Sequence, residues 1–190
     1  MQKTLNEIKK PVVINFTGAP GAGKSTGAAY MFSALKRLGY NCELVTEFAK
    51  DVTWEHNMAA LNCQEYVFGI QSYRLARCRD AVDIIITDSP LPLELLYTNN
   101  PALGKPFEEV VLNVFNTYNN FNVFVERAKP YNPIGRNQTE AEADKLSIDI
   151  INLYERLGIP LINIAGSDEG YSYILETFLA FYENLNKVTP

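Results

Sequence analysis

The chain has 190 residues, 47% hydrophobic and 21% charged, the proportions of one compact domain over residues 1–190 rather than of a disordered or fibrous polymer. A formal net charge of -5 argues against a general nucleic-acid coat and leaves local basic clusters to meet phosphates. Three cysteines with no Cys-x-x-Cys pair, a single histidine and no apolar run near the roughly 20 residues of a bilayer span argue against zinc ligation, a disulfide framework and a membrane anchor, and point to a reducing, cytoplasmic setting.

Five short β-branched, apolar runs predict strands: Val12 to Thr17, Glu43 to Glu47, Asp83 to Asp88, Asn122 to Glu126 and Leu161 to Ala165. Helical spacing fills the gaps between them, over Lys24 to Leu38, about Asn62 to Asp80, Glu108 to Tyr118, Glu140 to Leu157 and Tyr171 to Leu185. Continuous apolar strands alternating with helices imply a mainly parallel five-stranded sheet covered on both faces, an α/β three-layer sandwich. Arg127 to Gln138 breaks the pattern with two prolines, a glycine and three cations, ahead of a Thr139-x-x-Glu142 capping box. It predicts an exposed loop with a function.

Gly18-Ala-Pro-Gly-Ala-Gly-Lys-Ser25 satisfies the P-loop pattern between the first strand and the first helix. Small residues let main-chain N–H groups turn around phosphate oxygens, and the helix start adds its dipole. Gly18, Pro20, Gly21, Ala22, Gly23, Lys24, Ser25 and Thr26 are therefore the expected ATP cradle, with Lys24 near the β and γ phosphates and Ser25 as a ligand of Mg²⁺. Asp88 closes an apolar strand where P-loop proteins hold a metal-orienting acid, and Glu47 ends the second strand on the sheet edge where ligands gather. Either carboxylate suits the proton of an attacking hydroxyl, and both stay open as the base. Asp51, one turn further on, reads as surface.

Phosphoryl transfer asks for cations that close over the nucleotide, and Arg127, Lys129 and Arg136 supply them from a proline-stiffened lid over residues 127–138. The arginines rank ahead of Lys129 because guanidinium groups bind phosphate in bidentate fashion. Gln64, Gln71, Arg74 and Arg77 share one predicted helix with aromatic neighbours. Gln71, Arg74 and Arg77 are candidates to bind an acceptor base or sugar phosphate, against an amphipathic helix with ordinary core packing. Trp54 and His56 lack partners and read as structural, with Trp54 placed to flank an acceptor pocket. Gly166 to Glu169 follows the last strand, either beneath the adenine or as a plain helix cap.

Together these motifs make the chain resemble the small P-loop kinases of the nucleoside and nucleotide kinase group, and among them the phage-encoded AAA-domain proteins related to ribosylnicotinamide kinase. The resemblance rests on Gly18 to Thr26, Thr46 to Asp51, Thr87 to Pro90 and Glu126 to Gln138. It implies transfer of the ATP γ-phosphate to a nucleoside, a nucleotide or a modified base in DNA such as 5-hydroxymethyluracil. By position it assigns Lys24 and Ser25 to ATP and Mg²⁺, Glu47 or Asp88 to the base or the metal, and Arg127 with Arg136 to the lid. Ser89-Pro90 stands where many deoxynucleoside kinases carry an arginine. A nucleotide switch that transfers nothing is the competing class, but Asn186-Lys187 is followed by Val188-Thr189 and does not make a guanine-reading motif. Oligomeric state stays open.

Overall fold

Residues 10–98, 100–134 and 138–188 are described by a computed structural model. Five strands form one sheet: β1 (Val12–Thr17), β2 (Cys42–Val45), β3 (Ile84–Thr87), β4 (Asn119–Glu126) and β5 (Ile162–Ala165), in the order β2-β3-β1-β4-β5. All four pairings are parallel. The chain therefore returns through a helix-bearing crossover between strands, as the alternating pattern implies.

The central strands are buried on both faces, which explains why β1 reads as an unbroken apolar run. One face carries Val12, Ile14 and Phe16 against α1 (Lys24–Arg37) and α8 (Asp168–Val188), through Met31, Leu35, Ile174 and Phe178. The other carries Val13, Ile85 and Phe124 against α4 (Gln64–Ala76), α6 (Gly104–Phe115) and α7 (Glu140–Arg156). Helix, sheet and helix make the three layers of a P-loop NTPase sandwich.

Several boundaries move. β4 begins at Asn119 rather than Asn122, because its polar opening is tied into the core. Asn15 Nδ2 donates at 3.0 Å to both Asn120 Oδ1 and Asn122 Oδ1, and Asn120 in turn donates to the Phe115 carbonyl at 2.8 Å. β2 stops at Val45, so Glu47 is not a strand residue but the N-cap of a short helix, α2 (Phe48–Trp54). Two further short helices, α3 (Met58–Leu61) and α5 (Glu94–Tyr97), and a 3-10 turn over Leu91–Leu93 complete the fold. The Thr139–Glu142 capping box forms as its spacing requires, the Glu142 N–H donating to Thr139 Oγ1 at 3.3 Å and the Thr139 N–H to Glu142 Oε2 at 2.7 Å. Among the described residues no helix is long and apolar enough to cross a membrane.

Candidate functional site

At the carboxyl end of the sheet lies a cleft of about 630 Å³, within the size range of small-molecule sites. The P-loop forms its floor. Gly23 caps α1 at φ +108, and a Cβ there would meet the Tyr171 hydroxyl at 2.4 Å. That hydroxyl donates to the Gly23 carbonyl at 3.0 Å, so α8 braces the loop from beneath. Gly166, after β5, packs so closely that a Cβ would lie 2.1 Å from the Ala22 carbonyl oxygen. The small residues thus answer to a left-handed backbone and to supports under the loop, and not only to the anion above it.

No side chain caps α1 and no acid occupies its first turn, whereas Lys36 and Arg37 sit in its last. The positive end of the helix consequently faces the cleft with no neutralising carboxylate of its own. Lys24 Nζ donates to the Ala19 carbonyl at 3.3 Å, across the loop it belongs to. Pro20, Gly21, Ala22, Gly23, Lys24, Ser25 and Thr26 all line the cleft. This is a cradle shaped for a polyphosphate.

Asp88 joins the two sides of the site. Ser25 Oγ donates to its Oδ2 at 2.5 Å, and the Glu47 N–H donates to its Oδ1 at 3.0 Å. β1 and β3 are neighbours in the sheet, so the hydroxyl that begins α1 and the acid that ends β3 arrive together. One hydroxyl and one carboxylate beside a phosphate cradle fit Mg²⁺, which binds through one or two carboxylates plus phosphate oxygens. No cluster of three metal-ligating side chains occurs among the described residues.

Glu47 also lines the cleft. Burial pushes its carboxyl above the ordinary carboxylate range; Lys24 opposes the shift, and the charge of Asp88 adds to it. Beyond it lies Glu94, 4% exposed, whose carboxyl is pushed up to about 8 by burial first and by Glu47 second. Tyr97, one turn along α5, is raised to about 12, again by burial first and then by Glu47 and Glu94. Glu94 and Tyr97 both line the cleft, and neither was expected. The one signal was a single acid inside the otherwise apolar Leu91 to Leu96.

Three expected acceptor-binding residues lie elsewhere, which is a correction. Gln71 is fully buried, accepting from the Phe48 N–H at 3.0 Å and donating to the Thr46 carbonyl at 3.4 Å. Arg74 pairs with Asp51 at 2.6 Å, stacks 5.0 Å from the Phe48 ring centre and donates to Thr46. Both fasten the turn that carries Glu47. Arg77 is the exposed C-cap of α4, the end that leads back to the start of β3 and away from the cleft.

The lid is corrected likewise. Arg127 does not line the cleft; it is held on α7 by Asp144 at 2.5 Å and Glu140 at 3.3 Å. Lys129, ranked behind it, does line the cleft, with Pro130, Asn132, Ile134 and Gln138. The Tyr131 hydroxyl donates to the Gln138 carbonyl and ties the two ends of this loop. Arg136 lies outside the described residues. Trp54 lines the cleft mouth, and Gly166 lies beside the P-loop.

A comparison with curated proteins gives no match. A protein-family model described as an AAA domain matches residues 13–169, from β1 through the P-loop, Glu47, Asp88 and Lys129 to the first turn of α8. The chain therefore belongs to the AAA domain family, a P-loop NTPase-type family, and is a nucleotide-binding protein.

Proposed function

We propose that the protein is a kinase that moves the γ-phosphate of ATP to an acceptor hydroxyl of nucleoside or nucleotide type. The observation that carries this reading is the place of Glu47. It is a half-buried carboxylate on the cleft wall, electrostatically coupled to Lys24 of the cradle on one side and to Glu94 on the other. A P-loop that only hydrolysed ATP has no use for a second walled compartment beyond such a group. The cleft continues past Glu47 between α2, α3, α4 and α5, and this half is the acceptor site.

Lys24 and the first-turn amides of α1 hold the phosphates, and Ser25 with Asp88 is the pair that would hold Mg²⁺, which supplies charge neutralisation at the phosphate oxygens. Glu47 takes the hydroxyl proton on a carboxylate oxygen. The acceptor oxygen forms the new bond to the γ-phosphorus while the bond to the β–γ bridging oxygen breaks, its electron pair leaving with ADP. Lys129 approaches from the lid, which keeps water from the phosphoryl group. Asp88, with both oxygens occupied by Ser25 and the Glu47 N–H, suits the metal better than the proton. The resemblance to phage kinases of 5-hydroxymethyluracil in DNA makes that base one candidate acceptor among nucleosides and nucleotides.

Transfer of radiolabel from the γ-position of ATP to a panel of nucleosides, nucleotides, and plain and hydroxymethylated DNA tests the reading. Labelled acceptor is the expected product, lost at least about 1,000-fold in Lys24→Ala. Label released only as inorganic phosphate would identify an ATPase instead.

A further inference from the structure

The acceptor half of the cleft contains two polar side chains that the transfer step does not use. Gln64 opens α4 and Glu94 opens α5, and these helices pack on each other. Both residues line the cleft, and both are more than nine-tenths buried, at 7% and 4% exposure. Gln64 Nε2 donates to the Leu61 carbonyl at 2.8 Å. Because a carbonyl only accepts, this bond fixes which end of the amide is which. Gln64 Oε1 is then left buried with no hydrogen-bond partner, a condition native cores rarely tolerate without a ligand, an ion or a water to relieve it.

Resting on the kinase reading above, we propose that Gln64 and Glu94 together read the amide or imide edge of an acceptor that brings no negative charge into this half of the cleft. Gln64 Oε1 requires an N–H donor. Glu94, held neutral at physiological pH by its burial and by Glu47 beside it, offers an O–H to an adjacent carbonyl. An N–H next to a C=O is the edge of an amide or imide, as carried by several nucleobases and by carboxamides. Trp54 and Met58, 58% and 52% exposed, make an apolar lip on which a planar ring can stack.

The charges lining the cleft lead to the same class. Glu47 and Glu94 face this half, and among the described lining residues the cations are Lys24, Lys50 and Lys129, with no arginine. Lys24 belongs to the P-loop. A phosphate on the acceptor would meet the Glu47 carboxylate, an uncharged Glu94 and the single ammonium of Lys50 on α2, where phosphate-reading sites place guanidinium forks.

Calorimetry on the full chain, saturated with Mg²⁺ and a non-hydrolysable ATP analogue, provides the test. The probes are uridine, nicotinamide riboside and a single-stranded oligonucleotide containing 5-hydroxymethyluracil, so that the free and DNA-borne forms of the edge are told apart. At least one of the three is expected to bind, and its form methylated at the edge nitrogen to bind about tenfold or more weakly, since a site built for a donor rejects the analogue that lacks it. Uridine 5′-monophosphate should bind at least about tenfold more weakly than uridine, and Gln64→Leu or Glu94→Leu should cost a similar factor, with Glu94→Gln recovering most of the loss. The analogue titration on the same samples reports that each variant is folded. Binding of none of the three probes, tighter binding of the monophosphate, or indifference to Gln64→Leu would overturn the proposal. If label then moved to a different acceptor, the kinase reading would survive that result; if the ATP analogue itself failed to bind, the kinase reading would fall first.

Discussion

Glu47 occupies the position on which the chemistry turns, and its environment makes a signed prediction. Burial, and then the charge of Asp88, raise its carboxyl above the ordinary range against the pull of Lys24. A base must be ionised to accept a proton, so turnover rises with pH through a limb displaced upward from the usual carboxylate region. Glu47→Gln is expected to lower kcat by about 100-fold or more and to erase that limb, with ATP affinity held within about threefold. Unchanged turnover would transfer the role to Asp88. Arg127, Gln71 and Arg74 carry a different lesson at this scale. Their residue types fit phosphate or base recognition, yet Asp144, the Phe48 N–H and Asp51 claim them. A side chain's chemistry is visible in one letter, whereas its direction depends on acids and amides brought near by folding.

Among the elements, those long enough to show a period were legible. The five strands and the five longer helices stand where apolar runs and 3.6-residue spacing put them, with ends displaced by a few residues. α2, α3 and α5 have seven, four and four residues, too few for amphipathic spacing to show, and those three wall the acceptor half of the cleft. Glu94 was missed for that reason. The opening of β4 was missed because Asn119 and Asn120 look like a turn, while the Asn15 amide ties Asn120 and Asn122 to the neighbouring strand. The loop between β5 and α8 allows a test at this scale. In Gly166→Ala the new Cβ would lie 2.1 Å from the Ala22 carbonyl and 3.2 Å from that of Glu126, contacts that backbone cannot relieve without shifting the P-loop. ATP affinity is expected to fall about tenfold or more, since near-attack and anion-binding geometries tolerate little displacement. Gly69→Ala, in mid α4 with open space around its Cβ, serves as the control and should stabilise the fold by about 0.5–1 kcal/mol. Calorimetric titration of the two variants side by side would decide, and equal ATP affinities would dismiss Gly166 as a support.

Across the molecule, the acids gathered at one end of the sheet have a cost that the two apolar layers must carry. The Glu94 carboxyl is pushed up to about 8 in the fold against 4.5 ordinarily, and the groups that face it are Glu47 at the start of α2 and Tyr97 on its own helix. Because the folded state holds this proton more tightly than the unfolded chain, its contribution is complete below about 4.5, declines as pH rises towards 8, and is lost beyond it. Glu94→Gln is expected to raise Tm at pH 8 by roughly 4 °C or more and to raise it less at pH 5. Thermal melts at the two values would check this, and an equal gain at both would mean that the carboxyl is not the source. Tyr171 extends the argument to the order in which the molecule is made. Its hydroxyl reaches Gly23 across 148 residues of chain, so a ribosome releases the glycine-rich turn long before the helix that steadies it. The grip on phosphate is accordingly incomplete when the P-loop itself is made, and a nascent fragment ending short of α8 has the turn without its strut.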